Sequence, residues 1–215
     1  NHLRELRLIS EKDDPDPDTI DCHPLIREHF GEKLEEDNNK GWKEAHARLY
    51  EYYRDLPEKE LPDTLEEMEP LFAAVMHGCM AGKHQEAFDN VYLDRIHRGS
   101  EQYIMGKLGA TGVNLSCLSS FFDILWGKPV SGLDDNSKSF VLRWAGFTLR
   151  ALGRISEAVQ PAKEVLEASK KDKSWDGVSV DATHIAELNL MLGDVASAQT
   201  YGEQAVTFAD RSGDE

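Results

Sequence analysis

The stretch Gly153-Arg-Ile-Ser-Glu-Ala158 decides the fold, because its pattern of a glycine followed five residues later by an alanine occurs three times. The other copies are Gly82-Lys-His-Gln-Glu-Ala87 and Gly193-Asp-Val-Ala-Ser-Ala198. Each copy follows a run of apolar residues at helical spacing. Glycine permits a tight turn, and alanine lets two antiparallel helices approach closely. Each copy therefore predicts a pair of helices joined by a short turn.

The spacing of these turns predicts the number of helix pairs. Gly153 and Gly193 lie 40 residues apart, and Gly82 and Gly153 lie 71 apart. The first distance is close to one helical-repeat period and the second to two, so a degenerate repeat is expected between them. Each stacked pair buries a face that its neighbour covers. The prediction is an all-α, right-handed solenoid of about four helix pairs, at 57–98, 99–138 (degenerate), 139–176 and 177–215.

Helix signals dominate from Thr64 onwards, and no strand is predicted there. Thr64-Leu-Glu-Glu67 has the Thr-x-x-Glu form of a capping box, which begins a helix that we expect to reach Ala81. In the degenerate repeat, a helix is expected around residues 115–124 and a loop over residues 127–135.

Residues 1–56 carry a different pattern. Leu8-Ile-Ser10 and Thr19-Ile-Asp-Cys22 flank an acidic, turn-forming stretch, which predicts a short β-hairpin. Pro24 then begins a helix, and a second helix ends at Leu56-Pro57. The apolar residues before Leu8 have no helix-start signal, so we expect the chain to be a piece of a longer protein.

The composition favours a globular protein in a reducing compartment. Of the 215 residues 40% are apolar, enough to fill a core. The net charge of −16 repels nucleic-acid phosphates and anionic lipid. No apolar run approaches the roughly 20 residues that a membrane span needs, and three scattered cysteines do not suit a disulfide framework. We therefore expect a cytoplasmic protein whose partners are neither nucleic acid nor membrane.

The glycine turns, with Gly146 in one preceding helix and Ala186 in another, resemble tetratricopeptide repeats. The resemblance covers about residues 64–210 and is best over 140–169 and 180–210. The chain departs from the family pattern in its 40-residue spacing and in lacking the usual proline after the second helix. The resemblance implies a binding module in which the first helix of each pair lines a concave groove.

The N-terminal residues carry a second resemblance. An acidic hairpin followed by Cys22-His-Pro-Leu-Ile-Arg-Glu-His-Phe30 is similar to the end of the winged-helix domain of bacterial STAND-class (NB-ARC-like) signal-transducing ATPases. In that family the histidine of a Met-His-Asp motif contacts bound ADP, and bacterial members often continue into tetratricopeptide-like repeats. His23 occupies the histidine position here, with Cys22 and Pro24 as its neighbours. The resemblance implies that His23 senses ADP or ATP in the full-length parent; the alternative is an ordinary histidine at a strand-to-helix junction.

The sequence motifs do not favour catalysis within these residues. A phosphate-binding loop ends in Gly-Lys followed by Ser or Thr, whereas the three Gly-Lys pairs here are followed by His84, Leu108 and Pro129. Cys117 lies in an apolar run, where a thiol is a small inert group. We expect no enzyme activity and no cofactor in this part of the parent protein.

The sequence contains one short His/Cys cluster, formed by His77, Cys79 and His84. Zinc needs three or four converging ligands. His77 and Cys79 are about 200° apart around a helix axis, and His84 follows the turn. We therefore expect no metal site, but a packed cysteine and two ordinary histidines.

The candidate binding surface is the concave face of the predicted repeats. Arg143, Phe147 and Arg150 form one stripe along two helical turns. Guanidinium groups beside an aromatic ring suit a carboxylate or phosphate. The alternative is that Phe147 packs between repeats and the arginines pair with neighbouring acids. Other positions predicted on this face are Phe72, Met76, Thr183, Glu187 and Leu190.

These observations predict a non-enzymatic sensor or interaction module of a nucleotide-switched signalling protein, which binds a protein, a peptide or a small effector in its groove. Binding would relieve a contact that holds the ATPase in its ADP form, which requires different affinities for the two states. The alternative is a scaffold or adaptor that self-associates on activation.

Overall fold

The computed structural model describes residues 24–212. These residues are mostly helical with one small antiparallel sheet, which confirms the all-α prediction. The predicted hairpin at residues 8–22 and His23 lie outside the described residues. In chain order, the elements are α1 (Pro24–Asp37), α2 (Asn39–Asp55), α3 (Leu65–Met80), α4 (His84–Ala87), a π-helix (Phe88–His97), a 3₁₀-helix (Gly99–Glu101), α5 (Tyr103–Gly106), α6 (Thr111–Ser119), β1 (Phe122–Ile124), β2 (Lys128–Pro129), α7 (Asp135–Ala151), α8 (Ile155–Lys171), α9 (Trp175–Met191) and α10 (Val195–Ser212).

The three glycine turns share one backbone geometry. Gly82, Gly153 and Gly193 have φ values of 79°, 74° and 80°, in the left-handed region. At each turn the residue after the glycine donates its N–H to the carbonyl five residues earlier, over 2.8–2.9 Å. This is the Schellman motif, in which glycine takes the left-handed position without the penalty of a Cβ. Lys173 takes the same conformation at the α8–α9 turn, with φ 56°, where the sequence has no glycine.

Two of the three alanines after the turns, Ala87 and Ala158, lie where helices approach closely, whereas Ala198 is only half-buried. Ala87 is fully buried, and a Cβ added to Gly78 would lie 2.7 Å from the Cβ of Ala87 and 2.9 Å from the Tyr50 ring. Any side chain at position 78 would therefore force a shift where α2, α3 and α4 meet. Ala158 is also fully buried and lies beside Gly146 of α7.

The linker between α2 and α3 is held by the end of the π-helix. Arg95 is 6% exposed and donates to the backbone carbonyls of Arg54 and Glu60, at 2.6 and 2.8 Å. Arg98 donates to the carbonyl of Pro62. These bonds satisfy carbonyl groups that no regular helix or strand pairs. They also join α2 to the helices that follow it. The boundary predicted at residue 56, between the end of a winged-helix domain and the helical repeats, stays a prediction.

The helix predicted around residues 115–124 is wrong in its second half. α6 ends at Ser119, and β1 pairs with β2 in a region where no strand was predicted. The chain reverses at Trp126, whose φ is 62°. This reversal brings Trp126 and Phe121 into the core and leaves Ile124 63% exposed. Burial of two large aromatic side chains has outweighed the local helical pattern.

The four long C-terminal helices pack in sequence, each against the next. A large apolar cluster extends from α2 to α9, and a smaller one joins α8, α9 and α10. Between residues 24 and 212, no helix combines the length and apolar character that a membrane-spanning segment requires.

Candidate functional site

A cavity of about 390 Å³ lies among α7, α8 and α9. Its floor is formed by Ala158, Ala162 and Val165 of α8, small or branched apolar residues that leave room above the helix. One wall comes from α7, and the opposite wall comes from α9. Cavities of this size with an apolar floor and a few polar groups are typical of ligand sites.

The predicted stripe lines this cavity. Arg143, Phe147 and Arg150 all belong to its α7 wall, as expected for residues four and seven apart along a helix. Phe147 is 56% exposed, and its ring contacts Trp144 edge-on with centroids 5.4 Å apart. The ring is therefore available to a ligand and is not packed between helices.

The charged ends of the stripe are already paired with acids of α9. Arg150 Nη1 lies 2.8 Å from Glu187 Oε2, and Arg143 Nη2 lies 3.5 Å from Asp181 Oδ2. Both arginines therefore pair with neighbouring acids, which was the alternative prediction for them. The two ion pairs cross from α7 to α9 two helical turns apart and flank the opening beside Phe147.

The other predicted positions do not all lie at the cavity. Thr183 is exposed and donates its hydroxyl to the Ser179 carbonyl within α9, at 2.9 Å. Phe72 and Met76 lie on α3 and do not line the cavity. Leu190 is exposed near the end of α9. The structure thus brings together the α7 stripe and Glu187, but not the residues predicted from the first repeat.

Asp181 and His184 are cavity residues that the sequence analysis missed. Asp181 is 5% exposed, and Ser169 of α8 donates its hydroxyl to Oδ2 at 2.6 Å. A signal was present, because Asp181 follows Val178 and precedes Ala182 and Ile185 on the buried face of α9. A carboxylate on an apolar face is uncommon and points to a specific role.

The His/Cys cluster has a different arrangement from a metal site. His77 Nδ1 lies 2.9 Å from Nδ1 of His46, a residue of α2 that no sequence motif links to the cluster. Burial raises the pKa of the Cys79 thiol to about 12 and also raises the pKa of the Cys117 thiol. Over residues 24–212, no three His, Cys, Asp or Glu side chains converge in a way that could hold a metal ion.

Comparison with known proteins adds no family assignment. No protein-family model, curated protein or solved structure matches the chain.

Proposed function

We propose that this chain is a partner-binding module, built from tetratricopeptide-like helical hairpins stacked as a right-handed solenoid. The cavity among α7, α8 and α9 receives a protein segment, a peptide or a small effector. The observation that carries this proposal is the exposed Phe147 ring at the mouth of an apolar cavity, between two ion pairs. An aromatic anchor, an apolar floor and a polar rim are the usual parts of a binding site.

The repeat assignment is supported by the turns. Three glycines take the same Schellman geometry, and two of them are 40 residues apart in helix pairs of nearly equal length. The groove position is also the one that the tetratricopeptide resemblance implies, since α7 and α9 are the first helices of their pairs.

A binding role is favoured over catalysis by the chemistry of the described thiols. Cys117 is buried, and its raised pKa keeps it protonated, so that it is a poor nucleophile. The exposed Phe147 ring at the cavity mouth is suited to contact a partner.

The larger context of the proposal is a sensor arm of a STAND-class ATPase. Its support is the motif around His23, which lies outside the described residues. In that context His23 would contact ADP or ATP bound by the parent protein, and partner binding would shift the nucleotide state. A Gly-Lys-Ser/Thr loop upstream in the parent sequence would favour this context, and its absence would leave a helical adaptor.

The binding proposal is tested by selecting peptides from a displayed library against the 215-residue chain. We expect selected peptides to bind the Phe147→Ser variant about 30-fold more weakly, because a central aromatic anchor contributes about 2 kcal/mol. Val206→Ser is the matched control, an exposed apolar residue on α10. Equal binding by wild type and Phe147→Ser would contradict the proposal.

The second candidate is self-association, favoured by exposed apolar side chains at the α9–α10 turn. This turn carries four exposed apolar residues close together in sequence, Leu190, Met191, Leu192 and Val195. Sedimentation of the chain over a range of concentrations distinguishes the two: a dimer that Leu190→Glu disrupts would favour the scaffold, and a monomer throughout would exclude it.

A further inference from the structure

We propose that the ligand of this cavity carries a protonated amine on a hydrocarbon body, and that Asp181 receives the ammonium group. The inference rests on the proposed function and names the chemistry of its ligand. The proposed ligand is cationic, whereas the arginine stripe alone suits an anionic carboxylate or phosphate.

The first support is the incomplete pairing of a buried carboxylate. Asp181 lines the cavity, yet its hydrogen bonds from Ser169 and Arg143 both go to Oδ2. Within residues 24–212 no hydrogen bond to Oδ1 is made. Oδ1 is not one of the enclosed polar atoms without a partner, so it is open to water or to a ligand, and an ionic partner lowers the cost of burying a carboxylate. The contact with Arg143 is long, and the side chain of Arg143 is 54% exposed. An ammonium group in the cavity would complete the pairing of Asp181.

The second support is the charge balance around the cavity. Glu187 pairs with Arg150 at 2.8 Å and Asp181 with Arg143 at 3.5 Å, so neither arginine offers an anionic ligand an uncompensated positive charge. The chain as a whole carries a charge of −16, which attracts cations and repels anions over long distances. The two ion pairs therefore leave the cavity walls without an excess positive charge, and the overall field favours a cationic ligand.

The third support is the shape and lining of the cavity. The apolar floor formed by Ala158, Ala162 and Val165 accepts a hydrocarbon body. Trp144 and Phe147 add two aromatic rings to the lining, and aromatic rings can interact favourably with a cation. A volume of about 390 Å³ is sufficient for an arylalkyl amine or for a lysine side chain with its neighbours. The amine can thus come from a lysine of a partner peptide or from a free small molecule.

The test uses ligands that share a body and differ in charge. Calorimetric titration of the 215-residue chain compares phenethylamine, the neutral phenylethanol and the anionic phenylpropionate. We expect phenethylamine to bind at least about 10-fold more tightly than either analogue. Equal or tighter binding of phenylpropionate would overturn the inference.

Variants identify the carboxylate that receives the amine. Asp181→Asn keeps the shape of the side chain, removes its charge and is expected to weaken phenethylamine binding about 30-fold. Glu203→Gln is the matched control, an exposed acid of α10, and should leave the affinity within about 2-fold. Arg143→Gln removes a competing cation and should strengthen binding, a result that does not require Asp181→Asn to fold. Unchanged or weaker binding by Arg143→Gln would contradict the inference.

Selected peptides distinguish a peptide lysine from a free small-molecule amine. They also distinguish the amine inference from the proposed binding of a partner in the groove. Loss of binding when a selected peptide has lysine replaced by norleucine supports a peptide lysine, and binding of phenethylamine alone supports a free amine. Selected peptides that depend on Phe147 but not on any lysine, with no binding of phenethylamine, would overturn the amine inference and keep the groove function. Binding of phenethylamine that depends on Asp181, without any Phe147-dependent peptide, would support the amine inference and reject peptide binding in the groove.

Discussion

His46 and His77 form a hydrogen-bonded pair that sequence patterns do not indicate, because 31 residues separate them in the chain. Their Nδ1 atoms are 2.9 Å apart, so one ring must donate a proton and the other must accept it. Trp42 packs edge-on against His46, and Tyr53 stacks on His77. Burial lowers the pKa of both imidazoles, that of His77 to about 4 with a further contribution from His46. The folded protein therefore favours the neutral pair.

This pair predicts a loss of stability in acid. The pKa of His77 is about 4 in the folded state and 6.5 for an unperturbed histidine, so the unfolded chain binds more protons between these values. The contribution is fully present above pH 6.5 and is lost as the pH falls towards 4. Denaturant unfolding at a series of pH values should give a shallower pH dependence for His77→Asn than for wild type.

The control for the histidine prediction is His184→Asn, an exposed position on α9. It should keep the wild-type pH dependence. If the free energy of unfolding falls equally for His77→Asn and wild type as the pH falls from 6.5 to 4, protonation of the histidine pair is not coupled to folding. His97 is buried and its pKa is also lowered to about 4, so part of the wild-type dependence should remain in every variant.

At the level of the elements, the contact of Gly78 with Ala87 and Tyr50 fixes how α2, α3 and α4 pack. An added methyl group at position 78 would come within 3.0 Å of both neighbours. We expect Gly78→Ala to destabilise the protein by about 1–3 kcal/mol through overpacking, less the roughly 1 kcal/mol that alanine gains over glycine within a helix. The free energy of unfolding in urea measures this change.

Gly146→Ala is the matched control in another long helix. A Cβ at position 146 would meet its nearest neighbours, Pro161 and Ala158, at 3.7 and 3.8 Å, which are ordinary contacts. The substitution should be neutral or stabilising by up to about 1 kcal/mol. Equal effects of the two substitutions would mean that the close approach at Gly78 does not limit the packing.

The turns and strands differ in whether they could be predicted from the sequence. The turns at Gly82, Gly153 and Gly193 were predictable, because a left-handed residue after a helix favours glycine strongly. The turn at Lys173 carried no such signal, although its conformation is the same. The β-hairpin around Trp126 was missed because the burial of Phe121 and Trp126 in the core, and not local propensity, determines it.

At the scale of the whole molecule, the candidate site combines predictable and unpredictable parts. Arg143, Phe147 and Arg150 share a helix face, so spacing alone placed them together. The apolar face of α9 marks Asp181 as unusual, but its partners could not be predicted from spacing, since Ser169 comes from α8 and Arg143 from α7. Spacing along a helix identifies one wall of a groove, but the charge of the groove depends on the opposite wall.

The central claim is that a partner binds between α7 and α9, and hydrogen–deuterium exchange tests it most directly. The 215-residue chain is compared alone and saturated with a peptide selected from the library. We predict slower exchange in α7 around Phe147 and in α9 around His184, with little change in α1 and α2. Slower exchange confined to α1, α2 or α10, with α7 and α9 unchanged, would contradict the account.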